Sequence, residues 1–151
     1  MSRVVLITGA TSGMGELSAK FLSDNGYIVY AGSRDENVEA GSGNLKHIYI
    51  DVTKTDTIKN AVKTIIKNEG KIDVLVNNAG YGLLATLEEG TDEEIFNQFD
   101  VNVFGLIKAT REVLPYMREA KSGVIINISS FLGKMGLPLL SHYNASKYAV
   151  E

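Results

Sequence analysis

The stretch Val4-Val5-Leu6-Ile7-Thr8-Gly9-Ala10-Thr11-Ser12-Gly13-Met14-Gly15 decides how this chain is read. Four consecutive aliphatic residues, Val4 to Ile7, suit a strand buried on both faces, as in a parallel sheet. A glycine-rich turn follows at once and opens an amphipathic stretch running to Asn25. Glycines in such a turn permit a tight bend, close backbone approach to a pyrophosphate, and close packing of helix on strand. The first turn of the helix offers phosphate oxygens free amide donors and a partial positive charge. A Walker loop would close on Gly-Lys-Ser/Thr, and this turn does not.

Further along the chain the pattern repeats. Ile28-Val29-Tyr30, Ile48-Tyr49-Ile50, Val74-Leu75-Val76 and Val124-Ile125-Ile126 are short apolar runs of strand character. Helical periodicity fills the intervals at 13–25, 55–68, 91–118 and from Ser141 onward. Gly26 and Gly70 stand where helix-ending glycines belong. Strands alternating with helices predict βαβ units, a parallel sheet and right-handed crossovers. The segment 35–44, with Gly41-Ser42-Gly43, is too polar and glycine-rich for a full helix, so a short or absent one is expected there. No repeat or linker divides the 151 residues, and a single domain is expected.

Composition narrows the classes. Hydrophobic residues make up 44 % and charged residues 22 %, and fifteen basic against eighteen acidic side chains give a net charge of −3. With no basic cluster, a nucleic-acid partner is not expected. Cysteine is absent, which excludes disulfides, thiolate metal sites and thiol nucleophiles. His47 and His142 do not form a ligand pair, and no metal is expected. No run approaches the roughly 20 apolar residues of a membrane span, and the N-terminus lacks a signal-peptide pattern. A cytoplasmic protein without membrane contact is the expectation.

The turn spacing is Gly-x-x-x-Gly-x-Gly, and with Thr8 in front it resembles the signature of the short-chain dehydrogenase/reductase family. Other motifs follow in that family's order. They are Asp51-Val52 after the third strand, Asn77-Asn78-Ala79-Gly80 after the fourth, Asn102 in Val101-Asn102-Val103-Phe104-Gly105, Ser130 in Asn127-Ile128-Ser129-Ser130, and Tyr143-x-x-x-Lys147. The resemblance implies an α/β domain of Rossmann type, a doubly wound parallel sheet with strand order 3-2-1-4-5. It also implies NADP(H) or NAD(H) as cofactor, with Gly9, Thr11, Ser12, Gly13, Met14 and Gly15 at the phosphates, Asp51 and Val52 at the adenine, and Asn78, Ala79 and Gly80 further along. Ser33 and Arg34 at the end of the second strand favour NADP(H). A serine is too short to repel a 2′-phosphate, and a guanidinium can clasp it. In the alternative, Arg34 pairs with Asp35 or Glu36 on a solvated loop.

Tyr143 and Lys147, four apart on a helix, share one face. By resemblance Tyr143 exchanges the proton with the substrate oxygen and Ser130 hydrogen-bonds that oxygen. Lys147 favours the tyrosinate and grips the nicotinamide ribose, and Asn102 supports a water linking Lys147 to solvent. Ser129 is the competitor for the serine role, although strand alternation points its side chain away from that of Ser130. His142 reads as a structural or rim residue. Met135, Pro138, Leu139 and Leu140 either line an apolar substrate pocket or pack as a plain loop.

The motif wording is similar to the branch holding 17β-hydroxysteroid and retinol dehydrogenases, and bacterial members of unknown substrate read the same way. The implied activity interconverts an alcohol and a carbonyl of a small molecule, with a homodimer or homotetramer built on the helices at 91–118 and from 141. A non-catalytic dinucleotide-binding sensor or scaffold, and a nucleotide-sugar epimerase or lyase, are the competing readings. The family fold continues past the Tyr-x-x-x-Lys helix with two more strands. The chain is therefore expected to be a fragment of such a fold, weakly active or inactive alone, with the 124–128 strand left as a sheet edge.

Overall fold

The computed structural model describes residues 2–36 and 41–151. Its centre is β1 (Val4–Thr8), every residue of which is buried. β1 pairs in parallel with β2 (Ile28–Ser33) on one side and β4 (Val74–Asn77) on the other. β3 (Leu45–Tyr49) and β5 (Val124–Asn127) complete a five-stranded parallel sheet in the order β3-β2-β1-β4-β5. This is the expected Rossmann-type order.

Alternation along β1 divides the core into two layers. Val4 and Leu6 join Tyr30, Ile58, Val62, Ile65, Leu75 and Val113 on one face, under helices α2 (Thr55–Glu69) and α4 (Leu106–Glu119). Val5 and Ile7 join Val29, Ala31, Val76 and Ala19 on the other, under α1 (Gly13–Asp24). A strand sandwiched in this way has no polar face, which is why its sequence is a continuous apolar run. Each fully buried Leu, Ile or Val contributes about 1.5–3 kcal/mol relative to exposure. In α4 the buried positions Ala109, Val113 and Met117 recur every four residues, so one stripe of the helix meets the sheet.

The helix ends follow local chemistry. Gly70 closes α2 in the left-handed region at φ 75°, and its N–H donates to the Ile66 carbonyl. α3 (Asp92–Phe99) starts with a capping box in which Thr91 and Glu94 satisfy each other's backbone amides.

Three expectations are corrected. β3 begins at Leu45 and ends before Ile50, because an edge strand accommodates Lys46 and His47, which the apolar pattern excluded. The single helix expected over 91–118 is α3 and α4 joined by a π-helical turn, Asp100–Gly105. Thr91 is the cap of α3 and lies outside the helix. The expectation of a short or absent helix at 35–44 falls partly on residues 37–40, outside the described residues. The last helix, α5, spans Ser141–Val150. β5 lies at the edge of the sheet with Val124 and Ile126 exposed. No helix among the described residues is long and apolar enough to cross a membrane.

Candidate cofactor cleft and catalytic cluster

The segments leaving β1, β2, β4 and β5 all emerge at the C-terminal edge of the sheet, the edge where open α/β sheets bind ligands. They carry Gly9, Arg34, Asn78 and Ser130 respectively. A cleft of about 790 Å³ lies there, lined by Gly9, Thr11, Ser12, Gly13, Met14, Gly15, Ser33, Arg34, Asp51, Val52, Asn78, Ala79 and Gly80. Every residue proposed to hold the cofactor, apart from Tyr143 and Lys147, therefore shares one concavity of ligand-binding size.

The glycines have separable reasons to be glycine. Gly9 takes φ 64°, and a Cβ there would fall 2.8 Å from the Ala79 Cα, so the β1 and β4 turns are in backbone contact. Gly15 packs the start of α1 onto the Gly9 carbonyl and the Asn78 side chain, with no room for a methyl group. Gly13 takes φ 53° with nothing within 4 Å of a would-be Cβ, so its backbone faces open space. Ser12, at the cap position of α1, makes no side-chain bond to the first-turn amides, which leaves the positive end of the helix to an anion.

Asn78 locks the two turns together. Its Nδ2 donates to the carbonyls of Gly9 at 2.8 Å and Thr8 at 3.1 Å, while the Thr8 hydroxyl accepts from the Asn78 and Ala79 N–H groups. At the end of β2, the Thr11 hydroxyl donates to Ser33 Oγ at 3.1 Å. The carboxylate of Asp51 bonds the N–H and hydroxyl of Thr53 through one oxygen and faces Lys54 Nζ at 3.4 Å through the other. Burial raises its pKa, but these donors outweigh it and hold the acid below the usual carboxylate range.

The catalytic candidates gather beyond Gly80. A Cβ on Gly80 would sit 3.1 Å from Asn102 Oδ1 and 3.7 Å from Lys147 Nζ, and one on Gly82 would touch the Tyr143 ring at 3.6 Å. Lys147 is buried, donates to the Ile128 carbonyl at 2.8 Å, and lies 5.8 Å from the centroid of the Tyr143 ring. Burial pushes its ammonium below the ordinary lysine value. Asn102 sits in the π-helical turn with its amide fully engaged. Oδ1 accepts from the Tyr81 N–H, and Nδ2 donates to the Tyr81 carbonyl and to Ser146 Oγ.

Ser130 caps the short 3₁₀ turn Phe131–Gly133, accepting from the Leu132 N–H at 3.1 Å. That turn packs against α5, which carries Tyr143 and Lys147. Among the described residues, the hydroxyls of Ser130 and Tyr143 do not hydrogen-bond each other. Ser129 turns elsewhere, its Oγ lying beneath Gly133. His142 is buried against Gly90.

Two participants escaped the sequence reading. Gln98 is fully buried and donates to the Tyr81 carbonyl at 3.2 Å, sharing with Asn102 the grip on that residue. Its place one helical turn before Asn102 was the available signal. Ser146, which accepts from Asn102, depends on tertiary contact and carried none. Among the described residues, no group of three or more His, Asp or Glu side chains could hold a metal ion.

The chain belongs to the short-chain dehydrogenase family, whose model matches residues 3–151. It is 46 % identical over 151 residues to a 3-ketodihydrosphingosine reductase of Bacteroides thetaiotaomicron, covering 99 % of this chain and 55 % of that protein. Among solved structures, a short-chain dehydrogenase from Streptomyces avermitilis superposes with a TM-score of 0.91 at 36 % identity, over 99 % of this chain and 57 % of the other. ElxO with NADP bound does so with a TM-score of 0.91 at 31 % identity, over 99 % of this chain and 64 % of the other. The chain thus spans a little over half the length of these relatives.

Proposed function

We propose that this chain carries the cofactor-binding and catalytic part of an NADP(H)-dependent oxidoreductase that interconverts an alcohol and a carbonyl. The observation that carries this reading is the meeting of Lys147, Asn102 and the Tyr143 ring around Gly80 and Gly82, at the end of the glycine-lined cleft. The relatives support it: one is named as a reductase of a keto compound, and another is solved with NADP.

The amides at Gly13, Met14 and Gly15 would hold the diphosphate, and Thr11, Ser33 and Arg34 the 2′-phosphate end. Asp51 and Val52 would border the adenine, with Asn78, Ala79 and Gly80 further along the cleft. Bound NADP(H) supplies the hydride. In the reducing direction Tyr143 gives its hydroxyl proton to the substrate oxygen, and the Lys147 ammonium beside the ring favours the phenolate left behind. Ser130 Oγ accepts from the Leu132 N–H, so its own O–H remains to be donated to that same oxygen. Asn102 holds the Gly80–Tyr81 backbone against Lys147, the position from which it would support a proton path to solvent.

The test is NADPH oxidation, followed by absorbance, with a panel of ketones, repeated with Tyr143→Phe. The expected loss in kcat is at least about 100-fold, with NADPH affinity retained. Cofactor binding with no turnover of any ketone by a protein that carries this segment together with the rest of the family fold would favour the sensor or scaffold reading instead.

A further inference from the structure

Three hydrogen bonds fix the main chain of one residue beside the cleft. The Tyr81 N–H donates to Asn102 Oδ1 at 3.0 Å, and the Tyr81 carbonyl accepts from Asn102 Nδ2 at 2.9 Å and from Gln98 Nε2 at 3.2 Å. Both amide side chains are buried. Two core amides thus serve a residue that is itself 43 % exposed. Support of that kind suits a side chain that must hold one position at a binding site.

Tyr81 stands between two glycines on which a β-carbon would meet Asn102 and the Tyr143 ring respectively. It lines the cleft together with Ser33 and Arg34. Among the described residues its hydroxyl makes no hydrogen bond. Burial raises the pKa of the phenol, the Glu94 carboxylate adds to that, and the Arg34 guanidinium opposes it, with a net rise. The phenol therefore keeps its proton and remains a donor. The Glu94 carboxylate is engaged in the cap of α3, where it accepts from the Thr91 N–H at 3.0 Å and the Thr91 hydroxyl at 2.8 Å. A free hydroxyl donor and a guanidinium are left to act on whatever enters the cleft between them.

We infer that Tyr81 is a specificity-determining residue for the cofactor: its hydroxyl donates to the 2′-phosphate that the Arg34 guanidinium neutralises. This assignment rests on the NADP(H) reading and adds to it a donor from the β4 turn, two strands away from Arg34. NAD(H) would present a neutral ribose hydroxyl at that point, a weaker acceptor than a phosphate oxygen. The braced backbone has a use here. A small tilt of the Tyr81 peptide would swing the distant phenol oxygen out of hydrogen-bonding range.

The experiment measures dissociation constants for NADPH and NADH, by the fluorescence of the reduced nicotinamide. The protein is one that carries this segment together with the rest of the family fold, compared with its Tyr81→Phe, Tyr81→Ala and Arg34→Ala variants. Tyr81→Phe should weaken NADPH binding about tenfold or more, as expected for loss of a hydrogen bond to a charged group. NADH affinity and the melting temperature should hold, because the three bonds to the Tyr81 main chain do not involve its hydroxyl. Equal weakening of both coenzymes by Tyr81→Phe would put the hydroxyl on a part they share and overturn the assignment. So would an effect seen in Tyr81→Ala alone, which would make the ring a packing wall. If Arg34→Ala lowers the preference for NADPH and Tyr81→Phe does not, the NADP(H) reading stands and the Tyr81 assignment falls. An unsubstituted protein that binds NADH as tightly as NADPH would reject the NADP(H) reading, and this assignment with it.

Discussion

Lys147 Nζ donates a 2.8 Å hydrogen bond to the main-chain carbonyl of Ile128, tethering the middle of α5 to the segment that leaves β5. The same bond draws an ammonium out of solvent, and burial lowers its pKa from the ordinary 10.5. Folding therefore disfavours the protonated form. The resulting penalty is fully present below the folded-state pKa and fades as the pH rises from there towards 10.5.

Lys147→Met should consequently raise the melting temperature at neutral pH while removing at least about 99 % of turnover. Its advantage over the parent should shrink as the pH climbs through the lysine's titration. Thermal melts at pH 7 and pH 10 check both parts. A variant equally stabilised at the two pH values would show that desolvation of the ammonium is not the cause.

Gly9→Ala and Gly13→Ala separate two uses of glycine. At Gly9 the added methyl meets the Ala79 backbone as well as an unfavourable φ, so a loss of about 2–4 kcal/mol of stability is expected from overpacking plus strain. At Gly13 only the conformational cost of about 1–2 kcal/mol applies. Urea unfolding of both variants gives the comparison, and titration with NADPH should show weakened binding in each.

Cofactor choice is expected to turn on the end of β2. Arg34→Ala removes charge-assisted bonds worth about 1.5–3 kcal/mol, so the ratio of kcat/KM for NADPH over NADH should drop about 10- to 100-fold. Ser33→Asp should lower it further by setting a carboxylate against the 2′-phosphate. An unchanged ratio in both variants would place the discrimination elsewhere.

Asp73 links acid stability to the first strand. Its carboxylate accepts from the Val4 N–H at 2.7 Å and faces Lys71 Nζ at 2.8 Å. Burial raises its pKa, but these two donors overcome that and the net value lies below the ordinary 3.8. The stability it contributes is thus present above pH 3.8 and lost as the pH falls through the folded-state value. Because the pair is partly solvated, less than about 1 kcal/mol is involved. Melts between pH 2.5 and 6 should show a shallower acid decline for Asp73→Asn.

What could be read from the amino acids was what depends on neighbours in the chain. The β1–turn–α1 unit was legible because the buried run, the glycines and the helix start are contiguous, and their strand order followed from the family resemblance. The boundary of β3 was not, since Lys46 and His47 look like loop until one knows the strand lies at the sheet's edge. The π-helical turn was invisible for a different reason. One extra residue per turn over Asp100–Gly105 scarcely alters the apolar periodicity, yet it is the turn that carries Asn102, buried against Tyr81 and Ser146. Gln98 offered only its spacing ahead of Asn102, and the Tyr81 carbonyl that it binds is brought to it across 17 residues.

The clasp between Thr8 and Asn78 joins positions 70 apart in sequence. A turn that occupies the first fifteen residues is therefore unable to take its working shape until a strand synthesised much later has docked beside it. A nascent polypeptide still short of β4 would own all the phosphate-facing glycines and yet lack the brace that orients them. Affinity for the dinucleotide should accordingly switch on late, as a property of the assembled sheet, and long-range pairing of this kind is intrinsically slow to form.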